Sequence, residues 1–113
     1  IQPLTQAAMR QRLARFDALK GNTKGAKNHY SEALKIVNSM PAPPPETAAY
    51  CQWQLGETAF SAGDYESAEK YYKDSLETYP EYTSALASMG KIRAAQSDLA
   101  GAIEFYERAV RRL

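Results

Sequence analysis

One spacing governs this chain. Leu55-Gly56 recurs 34 residues on as Met89-Gly90, and Asp64, Ala68, Tyr72 and Leu76 recur at the same offset as Asp98, Ala102, Tyr106 and Val110. A further copy lies upstream: Ala26, Tyr30, Ala33 and Leu34 match Ala68, Tyr72, Ser75 and Leu76 at an offset of 42, so eight extra residues separate the first two copies. A repeat of this length is one supersecondary unit that cannot bury its apolar face alone, so stability has to come from stacking neighbours.

Each copy reads as two helices. In the second copy Gly63 ends the first helix, because glycine takes the left-handed cap conformation without strain. Asp64 then caps the next by accepting backbone amides, and Pro80 closes it. Gly21-Asn22-Thr23 and Ser97-Asp98 supply the same stop-and-cap chemistry in the other copies. Six helices are predicted, at about 3–20, 23–38, 46–62, 65–79, 82–96 and 99–112, and no segment shows the period-two alternation of a strand. The expected fold is an all-α, right-handed α-α solenoid of antiparallel helices. It forms a single domain over 1–113, with repeats at about 7–40, 49–82 and 83–113. The run Ser39-Met40-Pro41-Ala42-Pro43-Pro44-Pro45 falls in a connector over 39–46. Proline removes the amide donor, so this run is predicted to be non-helical and extended, a stiff spacer in preference to a ligand for an aromatic groove.

These residues resemble the tetratricopeptide repeat, whose period is about 34, with a Leu-Gly pair, an aromatic, an Ala and a closing Pro at set spacings. The second copy carries most of the pattern in Leu55, Gly56, Gly63-Asp64-Tyr65, Ala68, Tyr72, Leu76 and Pro80. The third keeps Gly90, Ala102, Tyr106 and Ala109, and the first has Leu13-Ala14 for Leu-Gly. Small residues at Gly56, Gly90, Ala68 and Ala102 let paired helices approach closely, with Tyr30, Tyr72 and Tyr106 filling the space between units. The pattern is broken at Arg10, Gln52 and Leu86, where a large aromatic often stands, and at Asp17, Ala59 and Arg93, where a Tyr is usual; Phe16 and Phe60, one position away, are expected to compensate.

The resemblance implies a curved stack whose first helices line a concave groove for a peptide or helix of a partner protein. Carried over position by position, that face holds Gln11, Arg12, Arg15, Tyr50, Trp53, Gln54, Glu57, Phe60, Ser84, Ser88 and Lys91. Tyr50, Trp53, Glu57 and Phe60 share one helix face by their spacing. Aromatics flanked by cations are the residue types that dominate interface energies. The expected groove is therefore Tyr50, Trp53 and Phe60 as an apolar platform around Glu57, with Arg12, Arg15 and Lys91 as flanking cations. The competing expectation for Trp53 is a packing role against the first unit, beneath the Pro-rich connector. A two-carboxylate clamp of the kind that grips chaperone tails is disfavoured: of the matching positions Gln11, Arg15, Gln54, Ser84 and Ser88, only Arg15 is a cation.

Composition excludes several other classes. A net charge of +1 over 113 residues lacks the basic excess of a nucleic-acid binder. No apolar run reaches the length of a membrane span, so no membrane insertion is expected, and a soluble chain is, with the cytoplasm preferred. Charge is segregated, at +5 over residues 1–40, −6 over 41–82 and +2 beyond, which reads as solvated helix faces before it reads as an acidic-partner site. His29 is the single histidine and has no nucleophile paired with it, and Cys51 is the single cysteine, expected to be a small buried packing residue. Glu66 and Glu69 read as solvation. No metal spacing and no phosphate loop occur, so no enzyme activity, metal or cofactor is expected. A non-catalytic scaffold or adaptor remains.

No polar capping helix is read after the last helix, so Ile103, Tyr106 and Val110 are expected to be partly exposed. Two readings follow: the chain continues into further repeats that cover this face, which is preferred, or two copies pack through it as a symmetric homodimer. The alternative function is accordingly a structural spacer or self-association segment of a larger repeat protein.

Overall fold

The computed structural model describes residues 2–112. Its six helices are α1 (Pro3–Leu19), α2 (Thr23–Asn38), α3 (Pro45–Ser61), α4 (Tyr65–Thr78), α5 (Thr83–Ala95) and α6 (Leu99–Arg111). No strand occurs among the described residues. The principal contacts join α1 to α2, α3 to α4 and α5 to α6, then α2 to α3 and α4 to α5. This is an all-α superhelical stack of helix pairs, 46 × 31 × 20 Å.

The three turns within the pairs are built alike. Gly21 and Gly63 each take φ +80°, and the next residue's amide reaches back to a helix carbonyl: Asn22 to Asp17 at 2.7 Å and Asp64 to Ala59 at 2.9 Å. In the third turn Ser97 adopts φ 63°, and Asp98 bonds to Arg93 at 2.8 Å. This is a left-handed helix stop that satisfies carbonyls the helix leaves open. The side chains of Asn22, Asp64 and Asp98 then accept from the amides of Gly25, Ser67 and Gly101 at 3.0, 3.2 and 3.0 Å, capping α2, α4 and α6. Residues 17, 59 and 93 are thus structural equivalents, which fixes the register of the repeats.

The connector between the first two pairs differs from its expected form. It spans 39–44, and Pro45 already belongs to α3. Proline is tolerated in a first helical turn because its missing amide would have no partner there. The chain turns at Ser39, whose hydroxyl donates to the Ile36 carbonyl at 2.7 Å, and bends through Ala42; Pro44, at φ −64° and ψ 120°, is extended. A fully extended spacer would carry α3 away from α2, on which it packs.

The core runs through the junctions. Ala7, Ala33, Val37, Ala48 and Cys51 form one cluster, and Ala14, Tyr30 and Leu55 another, both joining the first two pairs. Ala68, Tyr72, Met89 and Ile92 join the second pair to the third. The glycines act differently from the expected backbone-to-backbone approach. A Cβ on Gly56 would lie 2.6 Å from Tyr72 Cδ1 and closer still to Cε1, and one on Gly90 would lie 2.9 Å from the Tyr106 ring. Each glycine makes room for the tyrosine of its partner helix. Phe60 packs on the third cluster as expected of a compensating aromatic, whereas Phe16 does not: it is 65% exposed. Among the described residues no helix covers its side of α1.

Candidate functional site

The first helices of the three pairs sit side by side. Gln11 of α1 donates to Cys51 Sγ of α3 at 3.3 Å, and Trp53 of α3 donates its indole N–H to Ser88 Oγ of α5 at 2.9 Å. Their shared face centres on Glu57. Its Oε1 accepts from the hydroxyls of Ser88 at 2.7 Å and Tyr72 at 3.0 Å, and its Oε2 lies 3.9 Å from Lys91 Nζ. Ser88 thus relays Trp53 to Glu57. Burial first, and then the adjacent Glu57 carboxylate, pushes the Tyr72 phenol well above its ordinary pKa, so it stays a neutral donor.

The aromatics divide into two groups around this carboxylate. At one end the Trp53 ring meets Tyr50 at 5.9 Å and Tyr82 edge-on at 6.3 Å. At the other, Phe60 meets Tyr65 edge-on at 5.0 Å and carries Lys91 Nζ 4.7 Å above its ring. Seven residues of helix separate Trp53 from Phe60, roughly 10 Å of rise. Tyr50, Trp53 and Phe60 therefore form two apolar spots with a charge between them, not one platform. Trp53 packs on the third unit, opposite to the expected packing on the first, because Ser88 and Tyr82 offer it a hydrogen-bond acceptor and a ring edge.

Arg15 reaches the same face. A hydrogen bond to Tyr50, ahead of every other cause, raises its guanidinium pKa above the ordinary value. Tyr30 lies close by, and burial pushes its phenol up to about 12. Arg12 is exposed and shares a shallow hollow with Arg15, Phe16 and Leu19, apart from the aromatic groups. Ser88 is buried, so it belongs to the floor and not to the accessible surface. Tyr82 was missed by sequence reasoning: it caps α5 and lies outside the helical spacing that singled out its neighbours, although its place directly before a first helix was a usable signal.

Ile103, Tyr106 and Val110 form an exposed stripe along α6. Glu69 does more than solvate α4: it pairs with Lys73 at 2.9 Å and, across to α5, with Arg93 at 3.3 Å and Gln96 at 3.2 Å. Burial raises the pKa of the Cys51 thiol, which keeps it protonated and unreactive. His29 lies 3.6 Å from Asp17 and 3.3 Å from Arg10. Among the described residues no three His, Cys, Asp or Glu side chains gather as metal ligands, and no helix is long and apolar enough to cross a membrane.

Two tetratricopeptide-repeat family models match the chain, one over residues 4–81 and the other over 54–113. The chain belongs to the tetratricopeptide-repeat family. The solved structure of MamA superposes with a TM-score of 0.76 over 96% of this chain and 58% of that one, at 17% identity, a likeness of fold. A probable biofilm formation methyltransferase of Pseudomonas putida, WspC, is 37% identical over 90 residues. That match takes in 80% of this chain, which spans one fifth of the methyltransferase's length. Tetratricopeptide repeats are typically non-catalytic, and in general terms the family and the fold make this chain a protein-interaction scaffold.

Proposed function

We propose that this chain recognises a peptide or helix of a partner protein on the face shared by α1, α3 and α5, and performs no chemistry itself. The observation that carries this reading is the state of the charges around Glu57. Its carboxylate is occupied by two hydroxyl donors from within the fold, while Arg15 beside Tyr50 and Lys91 over Phe60 remain exposed next to half-buried aromatic rings. A segment that places an apolar side chain beside Trp53 and Tyr50, and a carboxylate near Arg15 or Lys91, matches this arrangement. Arg15 and the Trp53 group also flank the groove from two different units, so a ligand lying across both would be gripped without rearrangement of the stack. The match to one fifth of a methyltransferase supports a docking segment attached to a larger protein, and any methyl transfer belongs to sequence outside these repeats.

Trp53 is the sole tryptophan, so its emission reports on this face directly. Partners captured from native extract by the wild-type chain are compared with those of Arg15→Glu and Lys91→Glu, each checked for unchanged helicity. The bound segment is then titrated while Trp53 fluorescence is followed. The expected result is a saturable change in emission and at least a tenfold loss of affinity in either variant, on the order of 1.4 kcal/mol. Binding that leaves the emission unaltered and survives both substitutions would sink the reading.

A further inference from the structure

The two internal junctions of the stack are filled differently at one place. The register fixed by the turn bonds at residues 17, 59 and 93 makes Ala18 of α1 the counterpart of Phe60 of α3, and Glu57 of α3 the counterpart of Lys91 of α5. By the 42-residue offset, Thr23 of α2 is the counterpart of Tyr65 of α4. Between the second and third pairs, Phe60 and Tyr65 meet edge-on at 5.0 Å, Lys91 lies 4.7 Å over the Phe60 ring, and Phe60 packs on the cluster that holds Tyr72 and Ile92. Between the first and second pairs, two short side chains stand in place of the two rings, and the space remains as a cavity of about 220 Å³. Thr58 stands there in place of Ile92, beside Tyr30, Glu57 and Ser61. The cavity lies between α1, α2 and α3, so neither end of the stack contributes to it.

The polarity of this place is inverted along with its shape. Where Lys91 offers a cation to a ring face, Glu57 offers a carboxylate, and a ring face repels a carboxylate because it carries the negative part of the aromatic quadrupole. Both internal hydroxyl donors of Glu57 fall on Oε1, whereas Oε2 lies 3.9 Å from Lys91 Nζ, beyond hydrogen-bond distance. The hydroxyls of Thr58 and Ser61 add acceptor oxygens, Thr58 spending its own proton on the Gln54 carbonyl at 2.8 Å. Ala18 and the Tyr30 ring supply an apolar wall. Arg15, the counterpart of Glu57 on α1, is engaged by Tyr50. We infer that this cavity takes a lysine or arginine side chain of the bound partner, its aliphatic stem against Ala18 and Tyr30 and its charged head on Glu57. The inference rests on the groove reading and adds to it a cation that the ligand must carry. Glu57 lies four residues beyond Trp53 on α3, roughly 6 Å of rise. In an extended ligand the basic residue therefore stands about two positions from the apolar one.

Selection of a random dodecapeptide library on the immobilised chain tests it, with the selected peptides then titrated against wild type and variants. Ala18→Phe restores the ring of the second junction at an exposed position and leaves Glu57 untouched. Glu57→Gln removes the charge and keeps an acceptor for Ser88 and Tyr72. The selected peptides are expected to carry Lys or Arg about two positions from an apolar residue, and to lose roughly tenfold in affinity on either variant, as for a charge-assisted hydrogen bond. Replacing that basic residue by alanine should cost wild type the same factor and cost Ala18→Phe nothing further. Thr23→Tyr serves in place of Ala18→Phe should the latter lower the helicity. Peptides that weaken on Arg15→Glu yet share no basic position, or that bind Ala18→Phe unchanged, overturn the inference and leave the groove reading standing. Peptides indifferent to both Arg15→Glu and Lys91→Glu, or the selection of no peptide at all, overturn both.

Discussion

Replacing Gly56 by alanine tests how the repeat glycine works. The new methyl would press on Cδ1 and Cε1 of Tyr72, a ring with no exposed surface whose hydroxyl is held by Glu57. Alanine gains about 1 kcal/mol of helix propensity over glycine. Overpacking a rigid site costs about 1–3 kcal/mol, and turning the ring aside sacrifices a hydrogen bond to a charged group worth about 1.5–3 kcal/mol. The terms leave a net loss of about 3 kcal/mol. Gly90→Ala is the control, because its methyl meets Tyr106, a ring at the open end of the stack that can swing outward. There the propensity gain and a small packing cost nearly cancel, to within about 0.5 kcal/mol. Urea unfolding followed by far-ultraviolet circular dichroism at micromolar concentration reads both. With a slope of about 2 kcal/mol/M, Gly56→Ala should lower the midpoint by about 1.5 M and Gly90→Ala should leave it nearly in place. Equal shifts in the two variants would refute the account of glycine as the socket for a fixed tyrosine.

The turns and the junction carry three further expected outcomes. Ser97→Gly relieves a left-handed backbone that costs a side chain about 1 kcal/mol, offset in part by glycine's larger unfolded entropy, so unfolding should move up by about 0.5 kcal/mol; Gly63→Ala should move it down by about 1 kcal/mol, both by urea titration. Glu69 has its carboxyl pKa lowered, chiefly by Lys73 and then by Arg93. A lowered folded pKa means that its contribution is complete above the unfolded value of 4.5 and fades as pH falls through the folded value. Glu69→Gln should therefore cost about 0.5–1 kcal/mol at neutral pH and progressively less as pH falls below 4.5; a gap between the two proteins that widened in acid would contradict this.

The parts of this molecule that short-range chemistry decides were legible in the residues. Helix stops and caps depend on three or four consecutive positions, so Gly63-Asp64 and Ser97-Asp98 could be read directly, and the helices follow within a residue or so at their ends. Pro45 was placed wrongly because proline forbids a helix interior but not a helix start, and spacing alone does not separate the two. Facing direction was harder. Phe16 looks like a compensating aromatic, but its burial depends on a unit that would precede it. Glu69 looks like a solvated acid until α5 brings Arg93 and Gln96 beside it. Trp53 lies on the expected face, yet its acceptor Ser88 is 35 residues away, and the direction of packing was set by that partner.

The principal contacts of the stack join only helices that are neighbours in the chain. Folding can thus proceed by closing short loops, with little entropy spent on distant encounters, which places the chain among rapid folders. The same ordering makes the molecule extensible. A helix pair added beyond α1 or α6 adds one junction and leaves the packing around Tyr30 and Tyr72 as it was, so length can vary without a new core having to be invented.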